Sequence, residues 1–141
     1  MITINRFEHK EFTSNTYLIR HKVFNENVYL IDIGNSKEVL DILRPNQKVK
    51  GIFLTQAHYE NICGINNIID QFPECIVYCT EYAYEALLSE KLNLSFYHLE
   101  PLVFKGDHIN FIHEFCIIHY VPLIFTSVCK CIWIPFRITS T

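Results

Sequence analysis

Val49-Lys50-Gly51-Ile52-Phe53-Leu54-Thr55 runs without a break into Gln56-Ala57-His58-Tyr59-Glu60-Asn61-Ile62-Cys63-Gly64. The first stretch reads as a buried strand, because β-branched and aromatic side chains fill a short apolar run. Past the second stretch, Ile65, Ile68, Ile69 and Phe72 recur at helical spacing, so residues 62–71 are expected to form an amphipathic helix that Pro73 stops. Between strand and helix, Gln56, His58, Glu60 and Asn61 place four polar side chains within six positions. The carboxyl end of a strand in an α/β sheet opens into a crevice, which is where sites tend to form.

The same reading extends outward. Residues 16–20 (TYLIR) and 28–33 (VYLIDI) are strand-like and are separated by a polar stretch at 21–27. Gly34 and Asn35 break the second strand. Ser36 is the expected N-cap of a helix over residues 37–43, with Val39, Leu40 and Leu43 on one face. Residues 75–79 (CIVYC) form another buried strand, and Thr80 caps a helix over 81–90. Residues 93–97 are a loop or short turn, and 102–104 and 109–112 are extended around Gly106-Asp107. Residues 117–121 and 129–134 are further apolar segments. Strands alternating with helices argue for an α/β layered domain, and the opening hairpin argues for a mixed sheet. With no repeat and no Pro/Gly/Ser-rich linker, residues 1–141 read as a single domain.

Composition narrows the function. Half of the 141 residues are apolar and 14% are aromatic, so a packed core is expected rather than a disordered chain. Twelve Lys+Arg against fifteen Asp+Glu give a net charge of −3. No basic surface is visible, which speaks against nucleic acid and against an acidic membrane as partners. The N-terminus (MITINRFEHKEF) lacks a signal-peptide pattern, so reduced thiols and a cytoplasmic location are expected. Cys63, Cys75, Cys79, Cys116, Cys129 and Cys131 contain no C-x-x-C pair and read as buried thiols. The apolar run from Phe115 to Trp133 is interrupted by His119, Pro122, Ser127 and Lys130, which makes it a poor membrane span.

His58 supplies an imidazole and Glu60 a carboxylate, both good ligands for zinc. Gln56 and Asn61 offer only neutral amides. Here the sequence resembles the metallo-beta-lactamase superfamily. Leu54-Thr55-x-x-His58-x-x-x-Ile62-x-Gly64 is similar to its Thr-His-x-His-x-Asp-His-x-x-Gly loop. Asn15-Thr16-Tyr17-Leu18-Ile19 resembles its first strand, and Leu30-Ile31-Asp32-Ile33-Gly34 resembles its Leu-Ile-Asp-x-Gly turn.

The resemblance implies part of a four-layer αββα sandwich with a mixed sheet, and zinc-dependent hydrolysis of thioesters, lactams, phosphodiesters or related bonds. It puts Gln56 at the family's first histidine, His58 at the second, Glu60 at the aspartate and Asn61 at the third histidine. His58 and Glu60 are therefore the expected metal donors, with zinc weakly held or lost. Glu60 would also hold or orient the reacting water, and Asp32 would brace the loop. Any substrate would be a small-molecule ester, thioester or lactam. The alternative is a non-catalytic scaffold that keeps the fold for interaction.

The family's next ligand segment, Thr-Pro-Gly-His-Thr, falls at residues 117–124, where Leu123 takes the histidine's place. Its later Gly-Asp and final histidine have no counterpart, so a shortened domain is expected, with exposed apolar sheet surface and self-association. From Phe115 onward there are no acids and no glycines, and only Lys130 and Arg137 carry charge. That break suggests an atypical apolar tail over 115–141, arising from a reading-frame shift or a natural short form. The remaining features read plainly. His9, His21, His98, His108 and His113 are expected at the surface or at strand edges. Tyr78, Tyr82, Tyr84 and Tyr97 are expected to pack, and Asn93-Leu94-Ser95 is a glycosylation sequon without a secretory route.

Overall fold

The computed structural model describes residues 1–23 and 26–112. The expectations placed on 113–141, including those for His113, His119 and Leu123, lie outside the described residues. The elements run β1 (Ile2–Glu8), β2 (Asn15–His21), β3 (Asn27–Ile31), α1 (Ser36–Ile42), β4 (Lys48–Phe53), α2 (Tyr59–Ile62), α3 (Ile65–Gln71), β5 (Ile76–Cys79), α4 (Glu81–Leu87) and β6 (Ile109–Phe111). A 3₁₀ turn occupies Ser95–Tyr97.

The six strands form one sheet in the order β1-β2-β3-β4-β5-β6. The pairs β1/β2 and β2/β3 are antiparallel, and the pairs from β3 to β6 are parallel. The mixed α/β class is as expected, and the opening hairpin is the source of the antiparallel half. Alternation along the strands divides the core. Leu18, Val28, Leu30, Ile52 and Val77 face the helices and pack with Val39, Ile65, Ile68 and Leu87. Ile19, Ile31 and Phe53 point to the opposite face, beside Ile4, Tyr17, Tyr29 and Tyr78. One helix layer therefore lies on one sheet layer, which is half of an αββα order. Among the described residues, no helix is long and apolar enough to cross a membrane.

Several local expectations are corrected. β1 was not anticipated, because ITINRFE alternates too weakly to announce a strand and is fixed instead by its full register with β2. The N-cap of α1 is Asn35, whose Oδ1 accepts from the Glu38 N–H at 3.2 Å. Ser36 is already helical, and its Oγ accepts from the Asn67 side chain at 2.9 Å. The helix expected over 62–71 is two pieces that meet at Cys63-Gly64. A Cβ on Gly64 would lie 2.8 Å from Ser36 Cβ and 2.9 Å from its backbone nitrogen. Glycine there lets the α1 start approach α3.

The segment 102–104 is not a strand. Leu102 and Phe104 turn into the core, and the Phe104 N–H donates to the Leu87 carbonyl at 3.0 Å, at the end of α4. The Asn93-Leu94-Ser95 motif is structural. Asn93 and Ser95 are fully buried, and both donate from their side chains to the Leu102 carbonyl.

Candidate functional site

The site grows from the turn that leaves β3. Asp32 adopts a left-handed backbone (φ 52°), which aspartate tolerates better than most side chains. Its N–H still donates to the Phe53 carbonyl at 2.9 Å, so the turn stays tied to the end of β4. That geometry aims the carboxylate at the loop after β4. Oδ1 accepts from the Thr55 N–H at 2.9 Å, and Oδ2 accepts from the Thr55 hydroxyl at 2.5 Å and from Asn61 Nδ2 at 3.0 Å. Asp32 is 5% exposed and Asn61 6%. Burial pushes the Asp32 carboxyl up to about 6, against the pull of the bonds from Thr55 and Asn61.

Backbone bonds lock the same two segments together. Ile33 N–H donates to the Asn61 carbonyl at 2.7 Å, and Gly64 N–H donates to the Ile33 carbonyl at 2.8 Å. Tyr59 N–H donates to the Asn93 carbonyl at 2.7 Å, which docks the turn after α4 on the loop. Ser14 Oγ donates to the Glu60 carbonyl at 2.7 Å from the β1–β2 connection.

The sequence-derived site residues divide into two sets. Asp32, Asn61 and Gln56 are joined: Gln56 Nε2 donates to Asn61 Oδ1 at 3.1 Å, and Asn61 Nδ2 donates on to Asp32. His58 sits at the N-cap of α2 with its side chain exposed and makes no capping bond. Glu60 is half-buried in the first turn of that helix. None of the bonds on the Asp32 carboxylate comes from either.

The donor set does not fit the family's zinc cradle. Among the described residues, no group of three or more His, Cys, Asp or Glu could hold a metal ion. Asn61 Oδ1, the one atom of that amide able to coordinate, already accepts from Gln56.

Two further groups border the site, and sequence reasoning missed both. His9, expected at the surface or at a strand edge, follows edge strand β1 and is half-buried against Cys63, with Nε2 3.7 Å from Sγ. His9 Nδ1 accepts from the Glu11 N–H at 3.1 Å, so the neutral ring carries its proton on Nε2. The Cys63 S–H donates to the Gly34 carbonyl at 3.1 Å. Protons thus point from Glu11 to His9 to Cys63 to Gly34, and the imidazole is no base for the thiol. Burial also pushes that thiol up to about 11, so Cys63 is a latch rather than a nucleophile. The second group is an aromatic cluster: His98 stacks on Tyr59 at 4.0 Å, and Phe12 meets both edge-on at 5.5 and 6.0 Å. The partners lie far apart in the chain, so no local pattern announces them. An open groove of about 610 Å³ runs beside the turn, between His9, Glu11, Asn35, Lys37 and Glu38.

This combination of a mixed sheet with helices on one face, an Asp-x-Gly turn after β3 and a polar loop after β4 defines the class. The chain belongs to the metallo-beta-lactamase superfamily, whose family model matches residues 9–127. Solved structures agree on the fold. The BLEG-1 B3 metallo-beta-lactamase is similar at a TM-score of 0.64 and 20% identity, over 79% of this chain and 55% of that one. TTHA1623, solved in a di-iron-bound form, is similar at 0.59 and 17% identity, over 78% and 54%. ST1585, an archaeal superfamily protein from Sulfolobus tokodaii, is similar at 0.54 and 18% identity, over 79% and 48%. The chain thus spans about half the length of these structural relatives.

Proposed function

We propose that this chain is a metallo-beta-lactamase-fold hydrolase homologue in which zinc-dependent hydrolysis is impaired or lost. One observation carries the reading: the carboxamide of Asn61, at a position where the family places a histidine, is engaged at both ends, by Gln56 and by Asp32. Zinc takes three or four donors, chiefly thiolate, imidazole and carboxylate. His58 and Glu60 are the two such donors left in the loop. A residual activity toward a small-molecule ester, thioester or lactam would rest on His58 as a donor, Glu60 as a donor or water-orienting group, and Asp32 as the brace. A cytoplasmic location, with its thiols reduced, fits this reading.

Metal analysis of the full chain, after incubation with zinc and desalting, tests it. Well below one zinc per chain is expected, with a rise in the Gln56→His/Asn61→His variant. Retention of one or more equivalents by the parent would overturn it.

A second reading, a non-catalytic interaction protein, is favoured by the exposed run beside His98. Phe96, Tyr97 and Leu99 are 57%, 79% and 103% exposed. Clustered apolar exposure of this kind promotes association. Self-association that grows with concentration is expected in size-exclusion chromatography with light scattering. A sharp monomer peak at every concentration, with a cooperative melt, would contradict it.

A further inference from the structure

The loop after β4 is tied to the β3 turn although its donors do not fit a metal, and side-chain hydrogen bonds around Asn61 join the backbone bonds in holding it. We infer that Thr55, Asp32, Asn61 and Gln56 form a closed clasp that takes over the loop-fixing role of a metal, with Asn61 as its two-sided connector. This deepens the proposed loss of metal chemistry and rests on that reading.

The polarity of the clasp is dictated from its buried end. An ionised carboxylate only accepts, so Asn61 must turn its NH₂ toward Asp32 Oδ2, 3.0 Å away. Its Oδ1 is then left facing Gln56, which must present NH₂ and does so at 3.1 Å. Thr55 closes the other side, donating from its N–H at 2.9 Å to Oδ1 and from its hydroxyl at 2.5 Å to Oδ2. Every bond therefore has one allowed direction. The clasp joins residues 29 positions apart (Asp32 and Asn61) and links the turn after β3 to both ends of the strand-to-helix loop. A bridging ion would tie side chains of that loop to each other in the same way. Asn61 is thus a positioning residue, acting through Asp32 and Gln56 on the loop.

Reversing the polarity tests the inference. Asn61→Asp sets a second carboxylate against Asp32, so at about pH 8 the folded chain must either face two charges at this distance or take up a proton that the unfolded chain releases. A fall in Tm of about 10 °C or more is expected, since an unpaired buried charge is strongly destabilising. The double variant Asp32→Asn/Asn61→Asp reverses the bond between 32 and 61, turns the Thr55 hydroxyl from donor to acceptor, and keeps the direction of the other bonds. The amide at 32 donates to the carboxylate at 61, its oxygen still accepts from the Thr55 N–H, and the second carboxylate oxygen accepts from Gln56. Asparagine also tolerates the left-handed backbone at 32.

Asp32→Asn alone already relieves the buried charge, so the double variant is read against the sum of the two single variants: a Tm clearly above that sum is expected, and a double variant no better than it would overturn the clasp. A residue that merely packs would give additive effects. If Asn61→Asp fails to fold, the parent decides. The side-chain NH₂ of Asn61 should exchange slowly with solvent in ¹⁵N-edited spectra, and fast exchange would overturn the clasp. Metal content is read separately. Zinc retained alongside a successful swap would overturn the proposed function and leave the clasp standing, whereas a failed swap in metal-poor protein would overturn the clasp alone.

Discussion

Gly34→Ala is expected to destabilise the chain by about 3 kcal/mol, at the upper end of ordinary overpacking effects. The reason is space rather than backbone conformation, because none of the glycines has a positive φ among the described residues. A Cβ at Gly34 would lie 2.3 Å from the Glu60 carbonyl oxygen, 3.1 Å from Ser14 Oγ and 3.3 Å from His9 Cδ2. The first of these is main chain and cannot swing aside. It is held by the Ser14 hydroxyl at 2.7 Å and by the short helix α2 around it. Relief therefore requires α2 to move away from the turn, which strains the Ile33–Asn61 and Gly64–Ile33 backbone bonds as well. Gly51 provides the contrast. A Cβ there meets only the rings of Tyr78 and Tyr29, at 2.9 and 3.1 Å, and both rings are half-buried and able to shift. Thermal melts followed by circular dichroism should show Gly34→Ala down by about 10 °C and Gly51→Ala down by clearly less. Equal melting temperatures for the two variants would contradict the close approach.

The second large effect is in the pH dependence of stability, and it comes from Asp32. Its carboxyl is pushed up to about 6 in the folded chain, chiefly by burial, against an ordinary value of 3.8. A group raised in this way binds a proton more readily when folded than when unfolded. Between the two values the folded state therefore holds more protons, and stability falls as pH rises. The penalty is absent below the unfolded value and complete above the folded one. At roughly 1.4 kcal/mol per pKa unit it amounts to about 3 kcal/mol at neutral pH. Asp32→Asn removes the titration while keeping the shape. Asn61 and the exposed Gln56 can each flip their amides to match the new donor. The stability of this variant relative to the parent, from urea titrations, should thus improve by about 3 kcal/mol between pH 4 and pH 7. A difference that stays flat across that range, or runs the other way, would show that the carboxylate is not held under strain.

How much of this was legible in the sequence depended on distance along the chain. The strands β2 to β5 were plain, because Leu18, Leu30, Ile52 and Val77 sit in short runs whose alternation is a local property. The Asp32-Ile33-Gly34 turn and the polar loop at 56–61 were legible too, since each is a contiguous motif. Element ends were less so. Asn35 and Ser36 are both good caps by type, and only the placement of Ser36 against Asn67 decided between them. The break at Cys63-Gly64 was hidden by the helical spacing of the isoleucines around it. Illegible altogether were contacts across the fold. The Asn61–Asp32 bond, the Cys63–His9 latch (54 positions apart) and the Tyr59–His98 stack join residues whose separation carries no local signature. A glutamine and an asparagine where histidines stand in the family read as missing ligands. Only coordinates reveal that they bond to each other.

Beside the clasp, main-chain bonds tie the β3 turn to the end of β4 and the loop after it (Asp32 to Phe53, Ile33 to Asn61, Gly64 to Ile33) and that loop to the turn after α4 (Tyr59 to Asn93). Peptide groups are the same whatever residue carries them, so the side chains at 58 and 60, which the clasp does not use, can drift or be replaced without unravelling the path of the chain. Such an architecture separates heritable shape from chemistry. It lets a lineage shed one reactivity and graft another onto an unchanged frame, and it offers a protein engineer two replaceable positions.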